Sequence, residues 1–465
     1  MKSVRISLTI AAAATALIGA VAFSQTRPSA PPPTVQAPPP QGQQAGQPGA
    51  DSGQLVVDVT GGRRAPMPIA IPYMPTPAAT GTAAGNTASL GHQVSDIIAN
   101  NLRNSGLFSP IGPQGLPDVG FAQVTAPDFA AFGSTGAQAL VQGFVQANGN
   151  GTLTVGCYLY DVASHSELAR QGFVVQPAQW RRAAHKCSDT IYTRLTGEGP
   201  YFDTRVIYVS ESGPARHRIK RLAIMDQDGA NHRFLTNGQA TVLTPRFAPN
   251  QQTIAYMSYE NNQPRVYVYD VGSGRSRPLV AQPYMTFAPR FSPDGHSVVF
   301  SMAVNGNTDI YRISSSGGTP RRLTNSPGID DGGSYSPDGS KIVFESDRGG
   351  TQQLYVMNAD GSNQHRISFG GGRYGTPVWS PRGDLIAFTQ VGSFRIGVMN
   401  ADGGGEHILS NGPLDEGPTW APNGRVIMFS RGNGQIWSVD ITGMAMRHVP
   451  TPLGASDPSW SPLRD

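Results

Sequence analysis

The tightest constraint on how this chain folds is a short motif that returns six times in its second half. Pro-Arg-Phe-Ala-Pro-Asn runs from Pro245 to Asn250, and Pro-Arg-Phe-Ser-Pro-Asp-Gly from Pro289 to Gly295. The series continues at Ser334 to Gly339, Val378 to Gly383, Thr419 to Gly424 and Ser459 to Pro462. Its period of 40 to 44 residues suits a four-stranded propeller blade, because each repeat reads as strands and tight turns. In one repeat, Gly333 to Ser336 forms a short inner strand closed by the turn Pro337-Asp338-Gly339. Proline presets the backbone at such a turn and glycine takes its positive φ. Lys341 to Ser346 and Gln353 to Asn358 follow as the second and third strands. Asp360-Gly361 turns the hairpin, and His365 to Ser368 returns as the outer strand. Ile254 to Ser258, Val298 to Met302, Leu385 to Thr389 and Val426 to Ser430 match the second strand of other repeats.

The two ends of the repeat array are complementary. Arg205 to Ser210 is a second strand with no inner strand before it, and Ser459 to Pro462 is an inner strand with only three residues after it. Joined, they make one blade from both ends of the chain. That closes a six-bladed ring and removes the sheet edges an open array would expose.

No such repeat occurs between Leu55 and Thr196. Leu90, Val94, Ile97, Ile98 and Leu102 recur at helical spacing, and Trp180, Ala183, Ala184, Cys187, Ile191 and Leu195 form a second apolar stripe ending at Gly197. Ala139 to Gln146, Thr152 to Tyr160 and Arg170 to Gln176 read as strands, the first two joined at Asn148-Gly149. The expected organisation is a small α/β domain over residues 55–200, then an all-β six-bladed propeller over 201–465. Cys157 and Cys187, the two cysteines of the chain, both face the same predicted core. A disulfide or two buried thiols would satisfy that placement; an oxidising compartment favours the bridge.

The N-terminus reads as an export signal over residues 1–22. Lys2 and Arg5 precede an apolar run from Ile6 to Ala22, with Ala20-Val21-Ala22 as the cleavage pattern. Residues 23–54 are rich in Pro, Gln and Gly, and the expectation is a flexible tether, since such a composition buries little surface. The formal net charge is only +4, with basic residues scattered, so nucleic acid is not an expected partner.

Enzyme readings find little support. No Gly-x-Ser-x-Gly elbow accompanies the repeats, as a propeller-bearing serine peptidase would require. Asp226-x-Asp228-Gly229-x-Asn231 has the flavour of a calcium loop but lacks its order and closing Glu, and it falls where each blade turns a hairpin. The nine histidines show no pair at ligand spacing, so no metal, cofactor or catalytic residue is expected.

Three further stretches complete the pattern: Leu102-Arg103-Asn104-Ser105-Gly106-Leu107-Phe108, Ala139-Leu140-Val141-Gln142-Gly143, and Leu195-Thr196-Gly197-Glu198 leading through Thr204-Arg205-Val206-Ile207-Tyr208. With these in front of six propeller repeats, the chain resembles the TolB family, the periplasmic propellers of the Tol–Pal system of Gram-negative bacteria. The resemblance covers everything after the Pro-rich stretch. It implies a monomeric binding protein, peripheral to the membrane through its partners, with a role in cell division and outer-membrane integrity. Those partners are the lipoprotein Pal, the C-terminal domain of TolA, and in some species colicins or other outer-membrane lipoproteins. One departure is that Pro-rich residues precede the segment expected to bind TolA, which in the family commonly starts the mature chain.

Site expectations follow. Pal is expected at one mouth of the channel, on the links leading into the inner strands, with Thr286, Phe287, Asp330, Asp331, Tyr374, Asp415 and Glu416 as candidates. The TolA-binding candidate is Leu55, Val56, Val57, Asp58, Val59 and Thr60, whose side chains alternate as in a strand able to join another sheet, or to edge its own domain. The alternative function is a propeller that takes a small molecule, peptide or glycan in its axial channel.

Overall fold

The computed structural model describes residues 55–57 and 65–464; the export signal, the tether and Asp58, Val59 and Thr60 lie outside the described residues. In the front domain a mixed sheet runs in the order Phe108–Ile111, Met67–Ala70, Ala139–Ala147, Leu153–Asp161, Ser166–Val175. Met67–Ala70 pairs in parallel with both its neighbours. Sequence reading missed it and Phe108–Ile111, because four residues carry too little periodicity to register. The hairpin after Ala147 is longer than Asn148-Gly149: Asn148 N–H reaches Thr152 O at 2.8 Å, with Gly151 in the left-handed region.

Helices α1 (Thr87–Asn104), α2 (Phe129–Gly133) and α3 (Trp180–Thr196) complete the domain. The Asn86 side chain caps α1, and Gly197 ends α3 at φ 71°. Both long helices turn their apolar stripes onto one core. There Cys157, on a strand, is disulfide-bonded to Cys187 of α3.

Six four-stranded sheets follow. Five are built in sequence order, inner strand first: Val242–Phe247, Met285–Phe291, Asp330–Tyr335, Arg373–Trp379 and Asp415–Trp420 begin blades 1 to 5. Blade 6 is composite: the C-terminal inner strand Gly454–Trp460 pairs with Arg205–Ser212, Ser459 opposite Ile207 and Trp460 opposite Val206. Neighbouring inner strands touch around the whole ring, the last against the first.

The repeated turn has a local cause. In blade 3, Gly339 N–H closes on Ser336 O at 2.9 Å with φ 72°, while Ser336 Oγ accepts from Lys341 N–H and donates to Asp338 Oδ1. Blade 1 lacks the glycine, and Gln251 takes the left-handed position at φ 57°.

The two domains share one hydrophobic core. Tyr192 of α3 meets Tyr201 and Phe202 edge-on at 5.4 and 5.6 Å, and Tyr201 meets Trp460 of blade 6 at 6.1 Å. The chain between the domains is pinned by buried Asp189, which accepts N–H bonds from Tyr201, Phe202 and Asp203 at 2.7, 2.8 and 3.0 Å.

Candidate protein-binding site

Each inner strand carries the same irregularity. Its register against the second strand slips by one residue, after Leu243, Phe287, Asp331, Gly375, Glu416 and Ser456 in turn. The next residue of each, Thr244, Ala288, Gly332, Thr376, Gly417 or Asp457, adopts positive φ. A β-bulge of this kind turns the strand and re-aims its side chains. Repeated six times, it separates an outer part of the channel, before the bulges, from an inner part beyond them.

This corrects the expected mouth. The stretches read as links between blades are already paired: Thr286 lies opposite Met302, Asp330 opposite Ser346, Tyr374 opposite Gln390 and Asp415 opposite Arg431. All four are buried rather than exposed, with internal partners. Thr286 Oγ1 accepts from Val266 N–H, and Tyr374 donates to Glu406. Asp330 receives Ser346 and Arg348, and Asp415 receives two bonds from Arg431 at 2.6 and 2.9 Å. Those carboxylates hold loops in place. Of the seven candidates, Phe287 and Asp331 are half-buried and Glu416 is exposed.

The exposed ring lies just upstream. Tyr284, Ile329, Leu414 and Leu453 each immediately precede an inner strand, and Phe369 lies four residues before the inner strand of blade 4. All five are exposed large apolar side chains, Ile329 by 53%, Leu414 by 50% and Phe369 by 74%. Single exposed apolar residues are ordinary, but a set recurring at one end of every blade from 2 to 6 makes this end the candidate docking face. The signal was present in the repeat: each residue stands 8 to 12 positions before the proline of its Ser-Pro or Ala-Pro motif. It was missed because the strand starts were placed too late.

Deeper in, charge takes over. Asp331 and Glu345 are cross-strand partners. Asp331 accepts from Ser301 Oγ at 2.6 Å, and Glu345 from Thr376 N–H and Gln352 at 2.6 and 3.0 Å. Burial, and then the neighbouring Asp331 carboxylate, push Glu345 up to about 8. Arg246 and Arg290 hold equivalent positions beyond the bulges of blades 1 and 2. Burial, and then Arg246, push Arg290 well below its ordinary value. Carboxylates from blade 3 and arginines from blades 1 and 2 thus lie behind the exposed apolar residues.

Two other places bear on the expected sites. Leu55 and Val57 pack on the core with Val56 facing out, and Val57 N–H donates to Leu195 O at 2.7 Å. These three residues are not in a strand. The fold also brings His185 to Asp226 and Asp228, with ligand atoms within 4.8 Å, a proximity invisible in sequence spacing. It does not read as a metal site. Asn101 Nδ2 donates to His185 Nδ1, which leaves the proton of the neutral ring on Nε2, and Arg181 already pairs with both aspartates.

A small α/β domain fused through a common core to a closed six-bladed propeller, with a rimmed axial mouth, defines a propeller protein of the two-domain type. Residues 55–168 match the model of the TolB amino-terminal domain, and residues 192–464 that of the TolB beta propeller domain. The Tol-Pal system protein TolB of Zymomonas mobilis is 68% identical over 426 residues, covering 90% of this chain and 93% of that protein. Its counterpart in Rhizorhabdus wittichii is 71% identical over 416 residues, covering 88% and 95%. The crystal structure of TolB from Acinetobacter baumannii superposes with a TM-score of 0.75 at 28% identity, over 88% of this chain and all of that one. The chain belongs to the TolB family and is a component of the Tol–Pal system.

Proposed function

We propose that this protein is a periplasmic, non-catalytic link between Pal at the outer membrane and TolA from the inner membrane. In this reading it supports outer-membrane invagination during division and keeps the envelope intact. Membership of the Tol–Pal system supports the choice of partners, and the apolar run after Lys2 and Arg5 supports export. No helix among the described residues is long and apolar enough to cross a membrane.

The observation that carries the Pal assignment is the ring of exposed apolar residues, Tyr284, Ile329, Phe369, Leu414 and Leu453, around one mouth. Anchors of this kind dominate interface energies, and Phe287, Asp331 and Glu416 behind them supply polar and aromatic contacts. A protein carrying Ile329→Ser, Leu453→Ser and Phe287→Ala should melt as the parent does and lose Pal binding by more than about a hundredfold in calorimetry. Unchanged affinity would move Pal elsewhere. TolA is assigned to the segment from Leu55 to Thr60, whose first residues dock on their own domain through Val57. A chain truncated to begin at Arg63 should keep Pal affinity and lose the TolA C-terminal domain; equal TolA binding would make the segment structural.

A further inference from the structure

A cavity of about 280 Å³ lies where the start of α3 meets blade 6 and the C-terminal tail. Five arginines line it: Arg181 and Arg182 from α3, Arg205 and Arg233 from blade 6, and Arg464 from the tail. The acidic groups nearby number three. Asp228 and Asp226 take Arg181 at 2.5 and 3.5 Å, Asp203 takes Arg182 at 2.9 Å, and Asp203 and Asp226 lie 3.7 and 3.6 Å from Arg464. Positive charge therefore exceeds negative by two within the cluster.

Arg205 and exposed Arg233 are the two left over, and of these Arg205 is the more buried. Its Nε is buried with no hydrogen-bond partner, and no carboxylate among the described residues pairs with it. Around it stand Arg464, Arg233 and Arg182, with Asp226 the one opposing charge; burial, and then these like charges, push it below the ordinary arginine value. Desolvating an unpaired guanidinium among its own kind is costly, so an arrangement like this is expected where a ligand supplies the missing charge. The helix end points the same way. Ala178 and Gln179, just ahead of α3, line the cavity, no side chain caps the helix, and its first turn carries no acidic residue. The N-terminal partial positive charge of a 17-residue helix thus adds to that of the arginines.

We propose that this cavity binds a small soluble phosphoryl compound, held by Arg205 and the arginines around it, across the junction of the two domains. Phosphate chemistry fits because guanidinium forks grip its oxygens in pairs, and two negative charges balance the local excess. The cavity exceeds a single phosphate and leaves room for the group that carries it. Because Arg181 and Arg182 belong to the front domain and Arg205, Arg233 and Arg464 to the propeller region, a bound ligand would tie the two together. This site is separate from the axial mouth and does not depend on its assignment.

The test is calorimetry of the purified protein with inorganic phosphate and pyrophosphate at constant ionic strength, alongside melting in phosphate-free buffer. Saturable submillimolar binding is expected, weakened about tenfold or more by Arg205→Gln and by Arg464→Gln. Without phosphate, the Arg205→Gln protein should melt no lower than the parent, since an unpaired, half-buried charge is removed. Absence of saturable binding, equal binding by both variants, or binding only to phosphatidylglycerol vesicles would overturn the proposal. So would a lower melting point of Arg205→Gln in phosphate-free buffer, which would show that Arg205 already has a partner.

Discussion

Asp189 is the side chain on which the union of the domains most directly rests. It lies in α3, is nearly buried, and accepts three backbone N–H bonds from Tyr201, Phe202 and Asp203, the stretch leading into the propeller. Asp189→Ala leaves all three donors buried without acceptors, at about 1–3 kcal/mol each. With partial relaxation, a loss of about 4 kcal/mol is expected. Asp189→Asn keeps the oxygen that serves Tyr201 and Phe202 but turns an amide N–H₂ toward Asp203 N–H, so a loss of about 1–3 kcal/mol is expected. The pH dependence separates this from generic core damage. Burial pushes Asp189 up to about 6, its effect exceeding that of the three N–H donors. A carboxyl raised in the folded state favours folding most below its unfolded pKa of 3.8, and that contribution is lost as pH rises through about 6. The shift corresponds to about 3 kcal/mol. The gap in stability between the parent and Asp189→Asn should therefore be wider at acid pH than at neutral pH. Urea unfolding followed by tryptophan fluorescence, with Trp460 at the junction, reads both quantities. An Asp189→Ala protein within about 1 kcal/mol of the parent, or a gap that widens toward neutral pH, would refute the reasoning.

Free-thiol titration of the unfolded, unreduced protein should find no thiol at Cys157 or Cys187, and reduction should lower stability by about 3.6 kcal/mol for a sequence separation of 30. Stability should fall as pH rises through about 8, where Glu345 is forced to ionise beside Asp331, and Glu345→Gln should flatten that part of the urea-midpoint profile. Asp415→Ala strands Arg431 in a buried position and should cost about 3–5 kcal/mol in thermal or urea unfolding, as expected of a structural carboxylate.

What the sequence determined by itself was everything written in local code. The Pro-Asp-Gly turns, the period and the complementary ends specified six blades and their composite closure, because turn chemistry and two-residue alternation act over a few residues. The stripes of α1 and α3 likewise placed both helices and turned Cys157 and Cys187 toward one core. What only the tertiary structure decided depends on contacts between distant residues. The inner strands begin earlier than the motif indicates, so Thr286, Asp330, Tyr374 and Asp415 are paired and buried, while Tyr284, Ile329, Phe369, Leu414 and Leu453 stay exposed. A one-residue error in a strand's start reverses which side chains face out. His185 beside Asp228 and Asp189 beneath Tyr201 are products of packing between domains, and Arg205 near Arg464 of the closure of the ring. Linear spacing carries no record of them, because the separations are bridged only once the ring has closed and the helix has docked on it.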